Sequence, residues 1–265
     1  MSINMLLAIP VFNEEAYVPS VLRRARRYAE HILVVDDGSS DATPQLLKQE
    51  AGIEVISHAQ NAGYGQSLID AFDYADRRGY EWLITMDCDE QHEPAAIPEF
   101  TAAIADDDAD IISGSRYLRT FDGDDPPPAE RRQINFRITE MLNRRFGWNL
   151  TDAFCGFKAY RVCALNRMKI TEPGYAMPMQ FWAQAASLQL RIRELAVRLV
   201  YKDLFRTFGG DLDDADLRYR HYLEIFHAEM TRLASCRSRI AHDRSRRCHS
   251  VSPENCAAPT KCFTT

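Results

Sequence analysis

Short apolar runs recur through the first half of the chain, at 5–10 (MLLAIP), 31–36 (HILVVD), 53–58 (IEVISH), 82–87 (WLITMD) and 110–115 (DIISGS). Their Ile, Val and Leu content is that of strands buried on both faces of a parallel sheet. Between the first two, Tyr17 to Tyr28 places Val18, Val21, Leu22 and Ala25 on one face and Arg23, Arg24, Arg26 and Arg27 on the other, which predicts a helix covering a sheet. Thr43 followed by Pro44 predicts the N-cap and first turn of another. Such alternation implies right-handed crossovers and a doubly wound α/β sheet, whose ligands bind at the carboxyl ends of the strands.

Further along, FDGDDPPPAERR (121–132) reads as a mobile loop before a helix from Glu130 to Phe146. That helix region is basic: Arg131, Arg132, Arg137, Arg144 and Arg145 either meet an anionic ligand or form a solvated face. Strands are predicted at 156–161 and 191–201, with a helix from Met179 to Leu188 between them. From Leu217 to Leu233, Tyr219, Tyr222, Phe226, Met230 and Leu233 recur every three or four positions and predict a long helix with one apolar stripe. The chain thus divides into an α/β domain (1–212), an amphipathic helix (213–234) and a basic, Cys-containing tail (235–265) with no period, expected to be disordered.

Composition narrows the class. The 265 residues are 46% hydrophobic and 26% charged, enough for one large α/β core. No apolar run approaches the ~20 residues of a membrane helix, and no secretory signal is visible, so the expected location is the cytoplasm. The seven cysteines are an odd number, and Cys88, Cys155 and Cys163 lack paired spacing, which points to reduced thiols. In the tail, Cys236, His242, Cys248, His249, Cys256 and Cys262 lack the C-x-x-C knuckle of a zinc site. Charge is uneven: from Arg232 onward seven Lys or Arg face two acids, a net +5, leaving −11 of the total −6 on the rest. So acidic a body argues against a nucleic-acid partner.

The predicted strand ends are acidic and polar. Asn13, Glu14 and Glu15 follow the first strand, Asp36 and Asp37 the second, and Asp87, Asp89, Gln91 and His92 the fourth. Carboxylates gathered there repel one another unless a cation or a hydroxyl-rich ligand joins them. Any one of them taken singly could equally be a helix cap or a solvated loop residue.

PVFNEE (10–15), VVDDGSSDAT (34–43), NAGYGQS (61–67), MDCDEQHEP (86–94), SGSRY (113–117) and TDAFCGFKAYR (151–161) follow in an order that resembles glycosyltransferase family 2. The likeness is to its dolichyl-phosphate mannosyltransferase and polyprenyl-phosphate glycosyltransferase branch and covers roughly residues 5–210. It implies a GT-A fold, with a mostly parallel central sheet and helices on both faces. It also implies a nucleotide-sugar donor, Mg²⁺ or Mn²⁺, and inversion at the anomeric carbon. Carried over by position, it puts Pro10, Phe12, Glu14, Asp36 and Asp37 at the donor nucleoside and Asp87, Asp89 and Gln91 at the metal, with Asp87, Asp89 and Cys88 also against the donor, although a small buried thiol accounts for Cys88 as well. Arg116 and Arg206 would lie on phosphates, although past Arg206 the family's Ser and Lys are replaced by Gly210, Asp211 and Leu212.

The acceptor implied is a polyprenyl or dolichyl phosphate, which needs no strong general base. A hydroxyl acceptor does need one, and Asp152 is its candidate, with a turn cap as the alternative role. Asp89, Asp152 and Arg116 are the candidate catalytic residues. For the 217–233 stripe three roles stand open: packing on the domain, pairing with a second copy, or lying with the basic tail on an anionic membrane. A catalytically silent sugar-nucleotide binder would show a damaged metal triad, whereas Asp87, Asp89 and Gln91 are all present.

Overall fold

The computed structural model describes residues 3–89, 92–200 and 210–249, with side chains as far as Ser235. Five parallel strands appear where the apolar runs predict them: β1 (Met5–Val11), β2 (His31–Asp36), β3 (Glu54–Ser57), β4 (Trp82–Thr85) and β5 (Ile111–Ser115). Two more, β6 (Lys158–Arg161) and β7 (Ile192–Ala196), complete a seven-stranded sheet in the order β3-β2-β1-β4-β6-β5-β7. β7 is shorter than the 191–201 segment predicted, and Tyr201 falls outside the described residues. Every pairing is parallel except those of β6, which runs antiparallel to both β4 and β5.

The period of two along each strand sorts side chains onto two cores. Leu6, Ala8, Leu33, Val35 and Leu83 face one side, where they meet α3 (Tyr64–Arg77), α5 (Ala129–Phe146), α6 (Val162–Leu165), α7 (Met177–Ser187) and α8 (Ala215–His249). Met5, Leu7, Ile9, Ile32, Val34 and Ile84 face the other, under α1 (Val18–Ala25), α2 (Thr43–Gln49) and α4 (Ile97–Ala105). Apolar residues on both faces of the strands therefore have a helical layer on each side. α1 buries the four apolar residues expected of it and leaves its arginines outward.

Two sequence expectations change here. Thr43 is the first residue of α2 rather than its cap: the hydroxyl instead accepts the Glu14 N–H at 2.9 Å, tying the loop after β1 to the loop after β2. The 121–132 loop, expected to be loose, is fastened to the end of β7. Asp125 N donates to Leu199 O (3.0 Å), Leu199 N to Asp124 Oδ1 (3.2 Å) and Arg198 Nη2 to Asp122 O (2.9 Å).

The apolar stripe of the long helix packs on its own domain. Tyr222 and Phe226 are buried in the same core as Trp182 and Phe181 of α7, with Tyr219, Met230 and Leu233 partly buried beside them. Gln180 of α7 donates to buried Glu229 of α8 at 3.1 Å. This occupies the face that could have lain on a membrane or on a second copy. α8 itself continues past the predicted end at 233 to His249, and residues 250–265 lie outside those described. No helix among the described residues is long and apolar enough to cross a membrane.

Candidate active site

Parallel β1, β2 and β4 end at one edge of the sheet, and the reversal of β6 brings its N-terminal end there too, since Thr85 and Lys158 are paired. The segments after β1, β2 and β4 and before β6 converge on a cavity of about 580 Å³. It opens beside the β1–β4 pair. β1 leads to β2 and β3 on one flank and β4 lies on the other, so the chain order reverses there, as at the crevice where open α/β sheets bind ligands.

On the β1 side the cavity is lined by Pro10, Phe12, Glu14 and Asp37. The two loops beneath are laced together. Asn13 adopts a left-handed φ of 56° and its Oδ1 accepts Ser40 N (2.8 Å), while Glu15 Oε2 accepts Ala42 N (2.8 Å). Glu14 alone of this trio faces the cavity. Asp36, expected at the nucleoside, is not among the described lining residues; buried, it accepts Ser39 N at 3.0 Å and holds the turn. Asp37 is at the wall but well supplied with donors: Ala62 N at 2.7 Å, Gly63 N at 2.9 Å and His58 Nδ1 at 2.6 Å. The two backbone contacts shape the 61–63 loop. Gly63 is required in that loop, since its φ is +105° and a Cβ would lie 2.3 Å from Pro173 O.

Asp87, Cys88 and Asp89 form the cavity floor. Tyr64 donates its hydroxyl to Asp87 Oδ1 at 3.1 Å, and burial first, then the Asp87 charge, hold that phenol protonated. Gly156 leaves Asp87 its space: a Cβ there would come within 2.4 Å of Oδ2. Behind the floor, His92 Nδ1 accepts the Asp87 N–H at 3.0 Å, which requires a neutral ring. Burial pushes this imidazole down to about 4, against the opposing pull of Asp89.

No three His, Cys, Asp or Glu side chains among the described residues gather into a metal-holding group. Two carboxylates on a floor of this kind nonetheless suit a hard cation that draws its other oxygens from a diphosphate and water. Gln91, the expected third member, lies outside the described residues, as does Arg206.

Arg116 and Asp152 form a bidentate ion pair at the site. Arg116 Nε and Nη2 reach Asp152 Oδ2 and Oδ1 at 2.7 and 3.0 Å, a bidentate fork. Asp152 is fully buried and also accepts from Asn135 Nδ2 (2.7 Å), Phe154 N (3.0 Å) and Cys155 N (3.1 Å). Burial alone would raise its carboxyl. The Arg116 charge and hydrogen bond, the Asn135 bond and the Lys158 charge more than reverse this and hold it well below the usual range. A carboxylate so saturated makes a poor proton acceptor, which argues against Asp152 as a base, and its fork sets the direction of Arg116, which lines the cavity. Glu194 of β7 supports it from behind, accepting the N–H groups of Thr151 (2.9 Å) and Asp152 (3.1 Å).

Much of the rest of the cavity lining is basic and aromatic. Arg131 and Arg218 contribute to it together with Tyr117, Ile134, Phe154, Tyr175, Leu212 and Tyr222. Of the basic residues of α5, only Arg131 is among the described lining residues; Arg132 and Arg137 lie over the rings of Tyr117 and Tyr219, each at 3.7 Å, and Arg144 pairs with Glu140. Sequence reasoning missed Asn135, Glu194, Tyr64, His58 and Arg218. The i, i+4 pair of Asn135 and Thr139 was the one local signal, since the other partners lie far apart in the chain.

An open α/β sheet with paired acids at one strand end and arginines in the same cavity has the architecture of the GT-A class. The chain belongs to the glycosyl transferase family 2, whose model matches residues 7–168, and it is a glycosyltransferase. The undecaprenyl-phosphate mannosyltransferase of Micrococcus luteus is 30% identical over 226 residues, covering 80% of this chain and 90% of the relative. The polyprenol monophosphomannose synthase of Mycolicibacterium smegmatis is 29% identical, covering 75% and 78%. Glucosyl-3-phosphoglycerate synthase of Mycobacterium tuberculosis, solved with Mn²⁺, UDP and phosphoglyceric acid, superposes with a TM-score of 0.64 at 16% identity, covering 86% of this chain and 79% of that one; this likeness is one of fold.

Proposed function

We propose that this chain moves a hexose from a nucleotide sugar to a polyprenyl phosphate, with inversion at the anomeric carbon. The observation that carries the reading is that one cavity is lined both by the carboxylates Asp87 and Asp89 and by the arginines and aromatic side chains of Arg116, Arg131, Arg218, Tyr117 and Tyr222. A diphosphate with its cation suits the carboxylates, and an amphiphile with an anionic head suits the arginines and aromatic rings. The names of the relatives support the acceptor class.

In this reading Pro10 and Phe12 give the nucleoside an apolar wall and Glu14 accepts hydrogen bonds from its hydroxyls or base. Asp87, Asp89 and Gln91 would hold Mg²⁺ or Mn²⁺, whose charge would offset that of the departing nucleoside diphosphate. Tyr64 fixes the rotamer of Asp87 through its hydroxyl. Arg116, aimed by Asp152, meets phosphate oxygens with a permanently charged fork. An acceptor phosphate oxygen attacks the anomeric carbon from the face opposite the leaving group, forming a new C–O bond as the bond to the diphosphate breaks. A phosphate already anionic at neutral pH needs no base, in keeping with the saturation of Asp152. Arg206 would add to the donor phosphates.

A hydroxyl acceptor is the second reading, favoured only by the presence of an acid in the TDAFCGF segment. Purified protein with Mn²⁺ or Mg²⁺, a panel of GDP- and UDP-sugars, and farnesyl phosphate beside farnesol tests both. Glycosyl farnesyl phosphate is the expected product. Transfer to farnesol alone would overturn the phosphate reading.

A further inference from the structure

Arg218 differs from the other arginines of the wall in where it comes from and how it is held. It stands near the start of α8, beyond the family match at 7–168, and its side chain is 3% exposed. Nη1 donates to Leu212 O at 2.5 Å, and Nη2 is paired with Glu130, 88 positions earlier in the first turn of α5. Glu130 itself is 52% exposed.

That asymmetry makes the pair exchangeable. A guanidinium never discharges, so a buried one always needs an anion beside it. The carboxylate now in that role is already half in water, and swinging outward costs it little desolvation. Arg218 cannot follow, because its own burial and the Leu212 carbonyl hold it at the cavity wall. Arg131, next to Glu130 on α5, lines the same wall, and so does Tyr222, one turn along α8 from Arg218. Both arginine charges act on the Tyr222 hydroxyl, so the three groups share one neighbourhood. Around them the lining is apolar, with Ile134, Phe154 and Leu212.

We propose that Arg218 is a specificity-determining residue on the acceptor side: with Arg131 it takes the phosphate monoester of the acceptor, and Glu130 is the counter-ion that the phosphate displaces. The inference rests on the phosphate-acceptor reading given above. It gives the C-terminal helix a part in substrate choice as well as in the core. Because Glu130 holds the same guanidinium, it screens the site against weaker anions when no acceptor is present.

The test is calorimetric binding to the full chain in the presence of whichever of GDP or UDP, with Mg²⁺, the wild type binds. Farnesyl phosphate, farnesol and glycerol 3-phosphate are the ligands, and Arg218→Met, Arg218→Lys and Glu130→Gln the variants. We expect Arg218→Met to weaken farnesyl phosphate at least tenfold, Arg218→Lys to restore part of this, and Glu130→Gln to tighten it severalfold. Farnesol binding and nucleotide affinity should stay at wild-type values in all three, which excludes misfolding. A purely structural strap between α5 and α8 would make Arg218→Met and Glu130→Gln weaken binding together, and that result, or no change in Arg218→Met, overturns the proposal. Preference for glycerol 3-phosphate with the same dependence on both residues would keep the anion site while overturning the lipid acceptor. Wild-type binding of neither phosphate would overturn both.

Discussion

Asp89 and Asp152 are both acids beside the cavity, yet their surroundings fit them for opposite tasks. Asp89 is part of the floor, where a carboxylate adds little to the core, so Asp89→Asn should lower turnover by roughly 10²–10³-fold or more. A melting temperature within a degree or two of wild type would accompany it. Near-normal turnover would remove Asp89 from the cation site. Asp152 is the reverse case. Asp152→Asn leaves Arg116, itself 13% exposed, facing an amide in place of a charge, and breaking such a buried pair costs about 3–5 kcal/mol. Urea denaturation reads this directly, and a loss under about 1 kcal/mol would show that the pair contributes little to the fold. Sequence made both acids visible as candidates but could not separate them. What distinguishes Asp152 is a set of donors from Asn135, Arg116 and two backbone amides, and only the fold brings Arg116 to it across 36 positions. Asp36 poses the same ambiguity, since a carboxylate that accepts a hydrogen bond from its own turn has the same sequence signature as one facing a ligand.

Between elements, His58 ties together three pieces of the structure beside the cavity. It leaves the end of β3 and bridges Asp37 after β2, at 2.6 Å, to Asp70 of α3, at 2.7 Å. Burial works against the imidazolium, but the hydrogen bonds and charges of the two carboxylates outweigh it, and the net effect raises the pKa above the usual 6.5. The charged form is therefore favoured in the folded state. Its stabilisation is complete below about pH 6.5 and is lost as pH rises through the higher folded value. Melting curves of wild type and His58→Gln between pH 6 and 9 should accordingly converge as pH rises. A constant difference across that range would sink the assignment. Further along the same face of the sheet, Phe226 of α8 is buried against Phe146, and Phe226→Ala should cost about 3–5 kcal/mol in the same denaturation experiment. A cost below about 1 kcal/mol would mean that α8 is not part of the core. At this scale the sequence was most legible: uninterrupted apolar runs and 3.6-residue stripes report burial directly, and all five early strands and the α8 stripe follow from them. The antiparallel course of β6 does not, because KAYR reads alike in either direction and its partners are chosen by the sheet.

Over the whole molecule, the uneven charge and the packed stripe together redefine how the protein could meet a lipid acceptor. The body before Arg232 carries −11 and repels an anionic surface, while the residues from Arg232 onward carry +5. The apolar face of α8 is turned onto α7, and among the described residues Leu233 is the last of that helix packed against the core. Six of the seven cations lie between Arg232 and Arg247, on the same helix as it runs on to His249. Polybasic segments add about 1 kcal/mol per charge near an anionic leaflet and lose it to salt within a Debye length of a few ångströms at high ionic strength. Any attraction to such a membrane must then come from the end of α8 by charge and not from its stripe by insertion. The full chain should float with phosphatidylserine-containing vesicles at low salt, sink at about 0.5 M salt, and float with neutral vesicles under neither condition. A chain ending at Ser235 should keep its melting temperature and its farnesyl phosphate affinity while losing the flotation. Flotation that survives both salt and this truncation would place the membrane contact on the body, and would require an apolar surface other than the one α8 covers.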